Sequence, residues 1–587
     1  ANALAFRRDP DYPLLLSLEH YDEEEEVATK AAIFSKRTVS PVREATVAEH
    51  PDEALALSMQ WKGRVDPDYM ARLLRATPED ALADLSARGM IYLNPEGDRH
   101  EPADEYLSGN VKRKLTVALA AGDAYRANVA ALEKVIPEDL PPGDIALRLG
   151  AVWVPADVVE TFIKEVLGLQ DTAVRYLAVA GTWSVTFNDW AARQSVACIQ
   201  EYGTRRMHAI DLVQHALNVQ TPTVRDPHPE KDGAYIVNKE ETLAAREKLG
   251  LIRDRFAAWA YEDAPRRERL CRIYNDLFNC IRQREFDGSH LKLPGFSQCF
   301  ELHASQRNAI WRVVQSGNTG LFHAVGAGKT AIMVAASMEL RRLGLANKPA
   351  HIVPNHCLEQ YAAELVRLYP SAAVLMATKE DLAGDRRREF VARVATGDWD
   401  AIVMTHSTFE LLPMSAGFTG DFIKDTIREI EMAVRMCSAD SRSNRIVKQL
   451  ERMKKTWKIR LERLENQERK DDFLCWEALG VDWLAYDEAH SAKNLFRHTK
   501  MARIAGLPLS NSQRAFDLYL KSRHTMSLYR GEHRGVVLAT ATPVANSMAE
   551  VHTFQRFLQP NTLRSLGLEQ FDAWAATFGE TVTALEI

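Results

Sequence analysis

A chain of 587 residues exceeds what one hydrophobic core supports, so several domains are expected. With 46% apolar and 26% charged residues it is ordinary globular material, which excludes wholesale disorder, and a net charge of -6 excludes polyanion binding through bulk positive charge. The seven cysteines are scattered, with no C-x-x-C pair for zinc or redox work, and fit a reducing cytoplasm. No apolar run approaches the ~18 residues that span a bilayer, so no membrane partner is expected. The charge is uneven, about +4 over residues 301–587 against -10 over 1–300, which places any polyanion-binding surface in the second half.

Residues 1–50 read as a polar N-terminal arm whose acidic run, Asp22 to Glu26, is solvated. The chain starts at Ala1 without a signal-peptide pattern, and both of its ends read as those of a segment of something longer. From 51 to 103 the pattern is that of a winged-helix-like module. Asp66-Pro67-Asp68 and Thr77-Pro78-Glu79 cap two short helices, and Gly89 to Gly97 supplies a strand and a wing. The second helix presents Glu79, Asp80 and Asp84, which repel a phosphate backbone, so a structural or protein-binding use is expected.

Residues 104–300 form a helical accessory domain. It is interrupted by a hairpin from Ala173 to Phe187 that turns at Gly181-Thr182. Two long helices follow, Thr242 to Tyr261 and Pro265 to Arg284, with Asn275, Asn279 and Arg282 placed on the solvent side of the second. Phe286 to His290 and Pro294-Gly295 mark the link to a new domain.

From about residue 301 short apolar runs alternate with helices: Leu321-Phe322, Ala350 to Val353, Ala373 to Met376, Ala401 to Met404, Trp483 to Tyr486 and Val536 to Ala539. Six such runs with helical crossovers predict an α/β fold, a parallel sheet covered on both faces, over 301–587. Ligands bind beyond the carboxyl ends of such strands.

At the first of those ends stands Phe322-His323-Ala324-Val325-Gly326-Ala327-Gly328-Lys329-Thr330, with the make-up of a phosphate-binding loop. Backbone N–H groups of Gly326, Ala327 and Gly328 would close on phosphate oxygens, Lys329 would meet the β- and γ-phosphates of ATP, and Thr330 would hold Mg²⁺. The first glycine of G-x-x-x-x-G-K-[ST] falls at His323. At the end of another strand Asp487-Glu488-Ala489-His490 offers two adjacent carboxylates, Asp487 to bind the metal and Glu488 to deprotonate an attacking water. The competing reading of Asp487 is a helix N-cap.

The order Gln306, then Gly326 to Thr330, then Asp487-Glu488-Ala489-His490, then Thr540-Ala541-Thr542-Pro543 resembles the superfamily-two helicases and translocases. More narrowly, Asp487 to Asn494 and Ala539 to Asn546 are similar to Swi/Snf-type DNA translocases with a DEAH motif, as are Phe557 to Pro560 and Phe571 to Trp574. The resemblance implies a RecA-like P-loop domain in an ATP-dependent motor, with double-stranded DNA as partner. Gln306 would contact adenine, and His490 would couple the nucleotide to Thr540 and Thr542. Asn355, His356, Thr405, His406 and Ser407 would lie against the nucleic-acid backbone. Such a motor also needs a second RecA-like domain with arginine fingers, in cis beyond Ile587 or in trans. The alternatives are a strand-separating helicase and an ATP-gated DNA-binding or scaffold subunit without efficient turnover. Through Ser108-Gly109-Asn110-Val111 and Tyr274 to Asn279 with Phe286 to His290, the first half resembles parts of large phage and plasmid polypeptides that join a DNA adenine methylase to such a motor. The implied partners there are a methylase or a defence-system subunit, although no Asn-Pro-Pro-Tyr or Asp-Pro-Pro-Tyr signature occurs in the chain.

Between Met404 and Asp487 lies a helical insert, 421–470, with Ile446, Leu450, Met453, Trp457, Leu461 and Leu464 at helical spacing and a charge of +7 over 441–470. It reads either as a phosphate grip or as a hairpin whose cations are merely solvated.

Overall fold

The computed structural model describes residues 6–7, 9, 11–22, 27–188, 191–229, 233–438, 444–466, 475–497, 499 and 512–579. Most of the acidic run, 23–26, lies outside them. The centre is a six-stranded parallel sheet: β1 (Thr319–Leu321), β2 (Pro349–Val353), β3 (Val374–Ala377), β4 (Ala401–Thr405), β5 (Trp483–Tyr486) and β6 (Val536–Ala539). Five of the six match their expected runs to within a residue, whereas β1 meets Leu321-Phe322 only at Leu321, Phe322 being exposed beyond the strand; the spatial order is β1-β6-β5-β2-β4-β3.

Side chains alternate between the two faces, as a pleated strand requires. Val353, Val403, Trp483, Ala485, Val537 and Ala539 enter one hydrophobic layer, while Ile352, Met404, Leu484, Tyr486, Val536 and Leu538 enter the other. Helices α1 (Lys329–Arg342) and α2 (Leu358–Leu368) cover the first face. On the second lie α3 (His406–Glu410), the hairpin α4 (Ala416–Ser438) and α5 (Asn444–Asn466), α6 (Gln513–Ser527) and α7 (Ala549–Leu558). The expected insert is thus a pair of helices, with Leu450, Met453 and Trp457 buried.

His351, in the middle of β2, is completely buried. Its Nδ1 lies 3.0 Å from the Tyr361 hydroxyl of α2 and its Nε2 3.1 Å from Ser337 Oγ of α1, so one ring ties both covering helices to the sheet. Burial pushes its pKa down to about 3, and the ring is neutral.

The winged-helix module has helices Pro51–Lys62, Pro67–Leu74 and Pro78–Ala87 and the antiparallel hairpin Ile91–Asn94 with Arg99–Pro102. Asp66 and Thr77 are the caps, accepting from Tyr69 N (2.9 Å) and Asp80 N (3.1 Å). The module does not pack by itself. Met70, Ala81 and Leu85 share one continuous core with Ala335 and Leu340 of α1, Gln315 Nε2 donates to Gly63 O (2.9 Å), and Arg342 bonds Gln60 O. The module is therefore packed onto the sheet domain from which 104–300 separates it in the chain.

The arm is more ordered than its composition predicts. Tyr12–Ser17 is a helix, with Tyr12 buried, and Glu19–Asp22 pairs antiparallel with Val27–Lys30. Arg7 bridges Glu359 (3.1 Å) and Arg367 donates to Glu19 O (2.7 Å), so the arm is tied to α2.

In the accessory region Ala156–Leu167, Ala209–Leu217, Lys239–Glu262 and Ala264–Phe278 enclose a core of their own beside the hairpin Thr172–Leu177 with Thr182–Phe187. The expected solvent face of the last helix is corrected here. Asn275 is buried, its Oδ1 accepting from Leu140 N (2.8 Å) and its Nδ2 donating to Leu140 O (3.1 Å), while Asn279 donates to Glu138 O (2.7 Å). The helix stops at Phe278, and Ile281–Arg282 pairs with Gly109–Asn110 instead of continuing to Arg284. Among the described residues no helix is long and apolar enough to cross a membrane.

A folded-state pKa near 3 for His351, against about 6.5 unfolded, contributes stability that is present above pH 6.5 and lost as pH falls toward 3. His552, also pushed down to about 3, adds to the same trend. Urea midpoints should fall steadily from pH 6.5 to 4, and His351→Asn should flatten that fall; an unaltered pH dependence in the variant would contradict the assignment.

Candidate nucleotide and nucleic-acid site

In a parallel sheet the strand ends converge on one edge, and here that edge carries the loop 322–328 after β1, Pro354-Asn355-His356 after β2, His406-Ser407 after β4, Asp487-Glu488 after β5 and Thr540 to Thr542 after β6. The strands before Lys329 and Asp487 are not neighbours, because β6 lies between them. That order sets Thr540 between the loop and the carboxylates.

The loop turns on Gly326 (φ 78°) and Gly328 (φ 77°), both left-handed. A Cβ on Gly326 would meet nothing, whereas one on Gly328 would run into Gln306 Nε2. Gln306 is committed at both ends of its amide, Oε1 accepting from His303 N (2.9 Å) and Nε2 donating to Ala327 O (3.1 Å). Its place is under the loop, and these bonds leave one N–H and one lone pair of the amide for a further partner. Lys329 Nζ donates to His323 O (3.1 Å) and Ala324 O (3.0 Å). His323 thus serves through its carbonyl, which any residue supplies. It is not among the positive-φ residues, so the missing glycine costs the loop no backbone strain. Thr330 follows in the first turn of α1.

Asp487 extends the sheet by donating its N–H to Ile352 O (2.8 Å), and its Oδ1 accepts from Glu488 N (2.9 Å). Burial raises its pKa, with the Glu488 charge adding to the rise, while Lys329 and His490 pull it down. The loop lysine and the carboxylate therefore share one electrostatic field. Glu488 is a non-glycine residue at φ 49°, ψ 50°, a conformation that costs about 1–3 kcal/mol and persists where neighbours enforce it. Those neighbours are visible. His490 Nδ1 lies 3.0 Å from Glu488 Oε2 and 3.2 Å from Thr540 Oγ1, and Thr540 Oγ1 accepts from Thr542 N (3.1 Å). Carboxylate, imidazole and hydroxyl form a relay from β5 to β6.

The five residues expected against nucleic acid divide into two sets. Asn355 and His356 are exposed, and Asn355 Oδ1 accepts from Ser407 Oγ (2.8 Å), joining the ends of β2 and β4. Thr405 and His406 are buried. Thr405 Oγ1 caps α3 by accepting from Thr408 N (3.1 Å). The His406 ring stacks on Tyr486 (4.5 Å between centroids) and its Nε2 donates to Asp487 O (2.9 Å), with a pKa pushed down to about 4 by burial. His406 braces the carboxylate strand from within, and of the five Asn355 and His356 are exposed and Ser407 partly so.

Sequence reasoning missed two supports. Lys493 bridges Glu550 (3.0 Å), which is buried and accepts from Ala545 N (2.7 Å), fixing the turn after Thr542. Lys521, also buried, donates to Phe409 O (2.6 Å) and pairs with Asp517 (2.5 Å), holding α3 in place. Nothing in their local pattern separates them from surface lysines. Among the described residues no group of three His, Cys, Asp or Glu could by itself hold a metal. Thr330 offers a hydroxyl and Asp487 a carboxylate at the same sheet edge, the hard oxygen donors that Mg²⁺ takes.

Comparison with known proteins agrees with this geometry. Residues 311–587 match the family "Probable helicase domain", 47–101 match "Probable helicase, winged helix domain", and 148–280 match a domain of unknown function. Defense against restriction protein B of Escherichia phage P1 is 24% identical over 573 residues, an alignment that covers 88% of this chain and 24% of that protein. The chain spans about a quarter of the length of this curated relative.

Gly328→Ala should destabilise the loop by about 1–2 kcal/mol more than Gly326→Ala. Both carry the left-handed penalty, but only position 328 displaces the doubly bonded Gln306. Adding Gln306→Ala should bring the two variants together in thermal unfolding and in amide exchange over 322–328; equal effects of the two single changes would refute the role given to Gln306.

Proposed function

We propose that this chain is the first RecA-like half of an ATP-dependent DNA translocase or helicase of the Swi/Snf, DEAH-containing type, with an accessory region built onto its back. The observation that carries the reading is the meeting of Lys329, Asp487, Glu488, His490 and Thr540 at one sheet edge. The helicase and winged-helix matches and the phage relative support it.

In this reading the amides of Gly326, Ala327 and Gly328 bind the phosphates of ATP, and Lys329 leaves its carbonyl partners for the β- and γ-phosphates. Thr330 and Asp487 hold Mg²⁺, which supplies charge neutralisation to the triphosphate. Glu488, strained and joined to His490, accepts a proton from the attacking water and passes the change to Thr540 and Thr542. Asn355, His356 and Ser407 bind the backbone of double-stranded DNA through neutral groups, which suits the modest charge of this half. A second RecA-like domain covers the nucleotide and brings its arginine. The exposed apolar side chains at the mouth of the site, Val325 (87% exposed), Val544 and Met548, suit that interface.

The winged-helix module is given a structural role. Arg88 is tied to Asp52 and Asp84, and Arg99 to Glu101 and Glu105, so these two arginines are committed to the module's own carboxylates. It stiffens the far end of α1, the helix whose first residue is Lys329.

Glu488→Gln should leave Mg-ATP affinity within about twofold and lower single-turnover hydrolysis by about 10²-fold or more, measured with duplex DNA and a supplied second domain. Unchanged hydrolysis would remove Glu488 from the role of base; ATP-dependent displacement of a DNA-bound protein that persists in the variant would favour a gated binding subunit over a motor.

A further inference from the structure

The hairpin α4–α5 is not needed to close the sheet, and its two helices treat charge differently. On α4 the exposed charges offset one another: Arg428 bridges Asp425 (2.6 Å), and Asp421, Lys424 and Glu429 alternate in sign beside them. On α5 they do not. Lys454 turns inward to Glu431 (3.1 Å) and holds Glu451 (3.9 Å), and the Arg460 guanidinium lies over the Phe516 ring at 3.3 Å. Lys448, Arg452, Lys455 and Lys458 remain exposed, with no carboxylate partner among the described residues.

Their spacing of four, three and three places all four on one face over about 15 Å, at 1.5 Å per residue. Like charges at these separations oppose helix formation. Glu451, exposed on the same face and held by Lys454, and Glu462, one turn beyond Lys458, temper the stripe, but an excess of positive charge remains opposite the buried Leu450, Met453 and Trp457 and fits an anionic partner. The helix that carries the stripe is joined through its inward side to α3. Arg460 Nη2 approaches Gln513 Oε1 (3.4 Å) at the start of α6, and the next residue, Arg514, is bonded to Glu410 at the end of α3, the helix that contains Ser407.

We propose that Lys448, Arg452, Lys455 and Lys458 form a second phosphate-binding surface that grips the backbone of duplex nucleic acid outside the track of Asn355 and Ser407. This rests on the proposed reading of that track. The surface adds affinity without sequence preference, because contacts to backbone phosphates carry no base information. It also supplies the steep salt dependence that neutral contacts at Asn355 and Ser407 lack.

The test is fluorescence anisotropy with a labelled duplex of about 30 base pairs, 50–300 mM KCl, using the full chain with Lys448, Arg452, Lys455 and Lys458 all changed to Gln. Each released contact removes about 0.9 from the slope of log K against log salt, so the slope should flatten by about 3 to 4 with a tenfold or greater loss of affinity at 100 mM. Mg-ATP binding and the thermal midpoint should stay as in the parent. Lys454→Gln, which removes an inward pair, should lower the thermal midpoint and leave the slope alone. An unchanged slope in a parent that binds duplex overturns the stripe alone, whereas a parent that binds no duplex overturns both the stripe and the proposed function. Competition by polyglutamate as strong as that by duplex at equal charge overturns the choice of nucleic acid in favour of an acidic protein.

Discussion

The insertion of β6 between β1 and β5 is the constraint on which the edge chemistry depends. It holds the lysine loop and the acidic pair a full strand apart and fills the interval with Thr540, whose hydroxyl meets both His490 and the turn that follows β6. Separation with a hydroxyl between them is the arrangement suited to passing the state of one strand end to the next.

Rigidity behind that edge comes from buried polar groups that are neutral or paired. His351 joins α1 and α2 through the sheet, His406 supports the carbonyl of Asp487, and Lys521 with Asp517 secures α3. Each would be expensive if left alone in a low-dielectric core, and each has a partner that offsets the cost. The winged-helix module extends the same frame, since Arg342, at the end of the helix that begins with Lys329, bonds Gln60 and lies 5.2 Å from the Trp61 ring. Arm, module and sheet therefore respond as one packed unit, with the strained Glu488 as the exception at the mouth.

Much of this was legible in the sequence where the signal is local. Trp483–Tyr486 and Val536–Ala539 coincide with their apolar runs because strands buried on both faces leave no polar alternation to blur their ends. Asp66 and Thr77 announce their helices because a cap acts within three residues. Strand order was not legible, since nothing near β6 records that it separates two strands distant from it in the chain. Nor were the burial of Asn275, His406 and Lys521 or the docking of the arm, each of which depends on a partner between 81 and 348 residues away. The helical insert was visible, yet its pattern could not tell the inward Lys454 and Arg460 from the outward Lys448, Arg452, Lys455 and Lys458.

The account stands on Lys329 and Asp487 belonging to one Mg-nucleotide site across β6. Isothermal titration of the chain with a non-hydrolysable ATP analogue, with and without Mg²⁺, and again in Lys329→Ala and Asp487→Asn, tests this most directly. The account predicts one nucleotide per chain, tightened by Mg²⁺, with Lys329→Ala abolishing binding and Asp487→Asn abolishing only the response to Mg²⁺. Binding that is unaffected by both changes would contradict it.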